Sequence, residues 1–224
     1  MVSPLLKDTE LITGMRIELE EFLSRWEALP DLKNAELIEG VVYVPSPVSN
    51  AHVRHESLLS GWLWLYAEAT PECDTGHNGT FTMLRQSPQP DIFLRVLEDY
   101  GGKSSVTGKL LGGAPELVVE ICVTSKELDF GPKLALYQRA GVQEYITVEP
   151  NLPRIVWRVL VDGSYKAIQA DSRGILRSQC FPGLWLNTEA FWAGDRSRMR
   201  KTLNAGLKSA AHLEFARKLK RRSK

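Results

Sequence analysis

Apolar positions change their spacing several times along this 224-residue chain. In residues 15–29, "MRIELEEFLSRWEAL", the residues Ile17, Phe22, Leu23, Trp26 and Leu29 recur near helical spacing and predict a helix. "AELIEGVVYVPSP" then alternates, turns at Glu39-Gly40 and runs on from Val41 to Val44, a hairpin stopped by Pro45 and Pro47. In "SNAHVRHESLLSGWLWLYAEAT" Ser49 or Asn50 can cap a helix, with Leu58, Leu59, Trp62, Leu63 and Tyr66 on one face.

The middle of the chain favours strands. Turn chemistry at His77 to Gly79 precedes candidate strands near Thr80 to Leu84 and Asp91 to Val96. "YGGKSSVTGKLLGGAP" is Gly-rich and is expected to be a loop before a strand from Leu117 to Cys122. A helix over residues 131–140, ended by Gly141, leads into the strand "QEYITVEP". "RIVWRVLVDGSYKAI" is a hairpin turning at Asp162-Gly163, and "FPGLWLN" closes the series. In the last thirty residues Met199, Leu203, Leu207 and Ala210 share one side of a predicted helix. No internal repeat is visible. The order predicts an α/β (α+β mixed) domain, a mixed sheet flanked by helices.

Length suits one domain with an appendage, and three segments are expected: an N-terminal extension (1–14), the main domain (15–194) and a basic C-terminal tail (195–224). No apolar run approaches the roughly 18 residues of a membrane span, and the first residues lack signal-peptide character, so a cytoplasmic location is expected. Cys73, Cys122 and Cys180 are scattered, without a CxxC pair, and are expected as reduced thiols rather than zinc ligands. The overall charge of +1 hides an asymmetry. Residues 195–224 hold eleven Lys and Arg against Asp195 and Glu214, leaving seventeen bases and twenty-five acids in residues 1–194. A basic arm on an acidic body suits a polyanionic partner; it is equally the pattern of a solvated terminal helix.

Two acids carry the candidate chemistry. Asp91 follows Pro90 at the mouth of the strand Ile92-Phe93-Leu94. Glu120 interrupts the apolar run Leu117-Val118-Val119-Glu120-Ile121, where a carboxylate is costly unless paired, protonated or bound to metal. Two acids on neighbouring strands can face one point, and such oxygen donors suit Mg²⁺ or Mn²⁺. A buried ion pair for Glu120 is the alternative. A nearby lysine would help the metal chemistry, yet Cys122 occupies the position two residues past Glu120 on the same sheet face. Lys126 and Lys133 lie downstream. Lys133 is preferred because a helix fixes its direction, and Asp129 precedes it by one turn. His52 and His55 stand three apart with no HExxH, and neither a phosphate-loop motif nor a GxSxG elbow occurs.

"PDIFLR", "PELVVEI", "DFGPKLALYQRAGVQEYITVEP" and the earlier "AELIEGVVYVPSP" with its following histidine together resemble the Uma family of restriction endonucleases, within the PD-(D/E)xK nuclease superfamily. The likeness runs from about Met15 to Trp192. It implies a restriction-endonuclease-like central mixed sheet flanked by helices, to which a basic C-terminal helix is appended here. It implies Asp91 and Glu120 as ligands of Mg²⁺ (or Mn²⁺), Lys133 as the lysine supplied from the following helix, and roles for Glu36 and His52. The chain departs from the family at Val41, where an acid is common, and at Cys122-Val123-Thr124-Ser125, where Ser-Pro-Ser is common. The implied activity is metal-dependent endonucleolytic hydrolysis of DNA, with a homodimer expected for duplex cleavage. A catalytically degenerate nucleic-acid-binding protein and a structural or partner-binding protein are the alternatives.

Overall fold

The structure, a computed structural model, describes residues 10–222. Residues 1–9 of the expected N-terminal extension and 223–224 of the tail lie outside the described residues. The first half holds α1 (Leu19–Glu27), β1 (Glu36–Ile38), β2 (Val41–Tyr43), α2 (Asn50–Ala69), β3 (Cys73–His77), β4 (Phe81–Thr82) and β5 (Ile92–Val96). Then come β6 (Ser105–Thr107), β7 (Leu110–Gly112), β8 (Leu117–Ile121), α3 (Lys126–Phe130), α4 (Pro132–Ala140) and β9 (Glu144–Glu149). The chain closes with β10 (Arg154–Val161), β11 (Ser164–Ala167), β12 (Ile175–Arg177), β13 (Trp185–Asn187), α5 (Thr188–Ala193), α6 (Arg196–Leu207) and α7 (Ala210–Lys220).

Six strands form the central sheet, in the order β11-β10-β9-β8-β5-β3. β8 and β9 are parallel, joined by the α3–α4 crossover, and the other neighbours are antiparallel. The mixed sheet expected from the sequence is therefore present. Every residue of β5, β8 and β9 is buried, which explains their near-continuous apolar runs.

Alternation along these strands sorts the core into two layers. Leu94, Val119, Ile121 and Ile146 pack with the predicted apolar face of α2 and with Met199, Leu203 and Leu219 of α6 and α7. Phe93, Val118 and Tyr145 pack on the other side with Ile38 of β1 and with Leu136 and Tyr137 of α4. Glu120 has the parity of Val118, so it projects toward α4. That parity is what later brings Lys133 within reach.

Helix ends follow their sequence signals. Ser49 caps α2 by accepting from the His52 amide, Pro132 opens α4, and Gly141 closes it in the left-handed region. The hairpin of β10 and β11 turns at Asp162-Gly163, as expected, with positive φ at both residues.

Four differences stand out. The Gly-rich stretch expected as a loop contains the β6–β7 hairpin, which adds to β4 in a small three-stranded sheet. β3 carries no alternating apolar pattern because it is an edge strand with one buried residue. Lys126 opens the short helix α3, although only Lys133 was expected on a helix. The tail forms two helices rather than one, because Ser209 starts α7 by capping the His212 amide. α6 is pressed close to the sheet layer: a Cβ on Gly206 would sit 2.1 Å from the Gly183 carbonyl oxygen.

Glu144 clamps this half of the molecule. Its Oε1 accepts from the backbone N–H groups of Gln179 and Cys180, and its Oε2 accepts from the Ser178 hydroxyl and the Trp157 indole N–H. Glu144→Ala strands four donors, of which the Ser178 hydroxyl and the Trp157 indole N–H are buried and worth about 1–3 kcal/mol each when left unpaired. We expect a loss of at least ~3 kcal/mol in urea unfolding; a loss below ~1 kcal/mol would show that water replaces the clamp.

The three cysteines are unpaired, as expected, and Cys73 and Cys122 are buried. Among the described residues no helix is long and apolar enough to cross a membrane.

Candidate active site

The register of β5 against β8 pairs Ile92 with Val119 and Phe93 with Val118. Continued by one step, it sets Asp91 directly opposite Glu120. Like charges across a strand pair are destabilising, so the backbone secures both. Asp91 Oδ2 accepts from the Ile121 amide at 2.6 Å, and Glu120 Oε2 lies 3.4 Å from the Asp91 amide.

Glu120 is 2 % exposed. Its Oε1 accepts from the Tyr137 hydroxyl at 2.9 Å and from Lys133 Nζ at 2.8 Å. Lys133 itself is 3 % exposed. It divides its ammonium between Glu120 and Glu36, whose Oε1 is 2.9 Å away. Glu36, the first residue of β1, is held by the Gln89 amide at 2.6 Å. Lys133 makes no ion pair with Asp91 within 4 Å among the described residues.

The lysine reaches Glu120 because α4 covers the sheet face onto which Glu120 projects. Gly131 makes the sharp break from α3 to α4 at φ −116° and ψ −102°. A Cβ there would approach the Glu127 carbonyl oxygen at 2.8 Å. Cys122 cannot replace the ammonium. Its thiol is buried, its pKa is pushed up by burial and the neighbouring Asp129 and Glu120, and its sulfur lies 3.6 Å from the Glu120 carbonyl oxygen.

Burial raises the Glu120 carboxyl well above its ordinary range; Lys133 opposes this, while Asp91, Asp129 and Glu36 add to it. Glu36 is likewise raised by burial against the pull of Lys133. Burial alone would depress Lys133, but Glu120, Glu36, Asp129 and Asp91 more than offset it and keep the ammonium charged. Two carboxylates thus share one ammonium in a dry setting.

On the open side of Asp91, His52 Nε2 lies 3.4 Å from Oδ1 and 3.6 Å from Glu56 Oε2. The hydrogen bond to Asp91 raises the His52 pKa against its burial. Glu56 is raised by burial and by Asp91. His55, by contrast, packs against Phe191 and Trp192.

All four residues singled out in the sequence, Asp91, Glu120, Lys133 and Glu36, fall in this one cluster, and His52 borders it. Sequence reasoning missed Asp129, Tyr137 and Glu56 as members. Asp129 is buried, accepts from Ser125, and leaves Oδ1 without a hydrogen bond, 3.9 Å from Lys133. The spacing 129, 133, 137 was the available signal for two of them; Glu56 follows His52 by one helical turn.

The donor set can be judged against a divalent ion. Asp91 and Glu120 each have one oxygen firmly held and one with only contacts of 3.4 Å. The cluster holds five carboxylates against Lys133, His52 and the more exposed His77, 3.8 Å from Glu56. Hard oxygen donors with surplus negative charge fit Mg²⁺ or Mn²⁺. Among the described residues no three acidic, imidazole or thiol side chains form a complete cage. Mg²⁺ does not require one, since it retains waters and shares its shell with substrate phosphate.

The sheet and its flanking helices match a solved fold. The structure of a protein described as a "putative nuclease belonging to DUF820 from Anabaena variabilis ATCC 29413" matches at a TM-score of 0.61 and 16 % identity. The match covers 79 % of this chain and 98 % of that one. The family model described as "Uma2: Putative restriction endonuclease" matches residues 19–189, and the chain belongs to that family. No curated protein matches the chain.

Proposed function

We propose that this protein is a metal-dependent endonuclease that hydrolyses phosphodiester bonds of DNA. The observation that carries this reading is the Asp91–Glu120 pair, opposed across β5 and β8, each with one anchored and one uncommitted oxygen. These two side chains would hold Mg²⁺ or Mn²⁺. When bound, such an ion supplies Lewis acidity, an acidified water and neutralising charge for the phosphoryl transition state.

The remaining residues prepare the pair. Lys133 opposes the upward pull of burial on Glu120 and Glu36 and fixes their direction, and Tyr137 holds Glu120 Oε1 so that Oε2 is presented. Lys133 has both close contacts committed to carboxylates, so its part is electrostatic support for the metal ligands. His52 Nε2, beside Asp91 Oδ1, is the group placed to take up a proton from a reacting water. Cutting both strands of a duplex calls for two such sites, hence a twofold dimer. Three free thiols suit a cytoplasmic setting.

Supercoiled plasmid provides the test. With Mg²⁺ or Mn²⁺ the protein should nick it, and EDTA should stop the reaction. Asp91→Ala should lower the rate by at least ~10²-fold, about 2.7 kcal/mol of barrier. Nicking that survives Asp91→Ala at the original rate would place the chemistry elsewhere.

A further inference from the structure

The candidate active site is acidic. Five carboxylates face one ammonium, the imidazole of His52 and, 3.8 Å from Glu56, that of His77, and residues 1–194 as a whole carry more acids than bases. A polyanionic substrate is repelled by such a surface until a cation binds, so long-range attraction must come from another part of the molecule. α6 and α7 are the part with the opposite sign. Ten Lys and Arg side chains in residues 196–222 are exposed. Arg198 pairs with Glu189, and Lys220 lies 4.0 Å from Glu72. The other eight make no ion pair among the described residues.

A solvated, loosely attached arm would also be basic and exposed. These helices are attached firmly. Met199, Leu203 and Leu219 belong to the same core cluster as α2 and the central sheet. Gly206 lies against the Gly183 backbone, and His212 Nδ1 is 3.0 Å from the Pro182 carbonyl oxygen. The charges are therefore presented on a fixed frame, so little backbone entropy is lost when they engage a ligand. No aromatic side chain of α6 or α7 is exposed, and Phe215 is partly buried against the core. Surfaces that hold single strands add exposed rings for base stacking. A broad cationic surface without them suits the phosphate backbone of a duplex.

We propose that α6 and α7 form a binding surface for the phosphate backbone of duplex DNA, built outside residues 19–189 that match the family. It supplies sequence-independent affinity, while the acidic cluster acts on the strand. Only that last clause rests on the nuclease reading.

Binding is measured by fluorescence anisotropy of short labelled duplexes in EDTA, across a salt series. The full chain is compared with Arg196→Gln/Arg200→Gln/Lys201→Gln/Lys208→Gln and, independently, with Arg217→Gln/Lys218→Gln/Arg221→Gln. Circular dichroism confirms folding, and two separate variants keep the test decisive if one misfolds. Each should weaken binding equally for duplexes of unrelated sequence. The slope of log affinity against log salt should shrink by about 0.9 for each phosphate that is no longer neutralised. Unchanged affinity and slope in the folded variants would overturn the proposal, as would tighter binding of single strands than of duplex. The two readings fail separately. A chain that binds through this surface but never nicks plasmid refutes the nuclease assignment alone. One that nicks while both variants bind as before refutes this surface alone.

Discussion

Lys133→Met should lower stability by about 3–5 kcal/mol at pH 8, the range for removing one partner of a buried ion pair. Methionine fills a similar volume, so the cost is chiefly electrostatic. Glu120 and Glu36 lose the ammonium they share while staying buried. For a chain of this size the melting temperature should fall by roughly 10 °C. The loss should depend on pH in a definite direction. Both carboxyls already have folded pKa values above their ordinary ones, and removing Lys133 raises them further. A raised carboxyl contributes stability that is present below its unfolded value of about 4.3 and is lost as pH climbs through the folded value. The gap between wild type and Lys133→Met should therefore be narrow near pH 5 and wide at pH 8. Thermal melts across that range decide it. A gap that is constant with pH, or smaller than ~1 kcal/mol at pH 8, would mean the two acids are already protonated beside the lysine.

Glu120→Gln should separate activity from stability. The substitution keeps the shape and removes one buried charge, while Lys133 retains Glu36 and Tyr137 keeps an oxygen to donate to. Stability should change by no more than ~1 kcal/mol, and at alkaline pH the variant should gain on wild type, because it has no raised carboxyl left to ionise at that position. Metal-dependent nicking should fall by at least ~10²-fold, about 2.7 kcal/mol of barrier. Functional groups placed at a cost to folding behave in this way. Parallel loss of nicking and of several kcal/mol of stability would instead make Glu120 a structural ion-pair member. Wild-type nicking in a stable variant would remove it from the site altogether.

The central strands were legible because burial on both faces leaves long apolar runs, and Glu120 was conspicuous against such a run. Lys133 was identified through helical direction and the family resemblance, and α4 does bring it to Glu120. Other features lacked a local signal. β3 is half exposed at the sheet edge, so no period of two marks it. β6 and β7 gain their partner from β4, distant in sequence, and their glycines suggest only a loop. Glu56 joins Asp91 through the packing of α2 on the sheet, which no short-range pattern encodes. Asp129 stands one turn before Lys133 in the sequence, but the break at Gly131 falls between them, so only the fold makes it a member of the cluster. Glu144, the first residue of β9, is a buried strand acid like Glu120. Only its four donors distinguish a structural clamp from a metal ligand.

The close seating of Gly206 on Gly183 bears on how this chain can diverge. The family model ends at residue 189, yet the side chains that finish the α2 layer come from beyond it. The C-terminal helices are thus not a detachable accessory. An ancestor without them would have needed other side chains over α2, and a descendant that loses them must repaint that face in the same step. Substitutions in the buried face of the basic helices and in the face of α2 that they cover should therefore be coupled in their effect on stability.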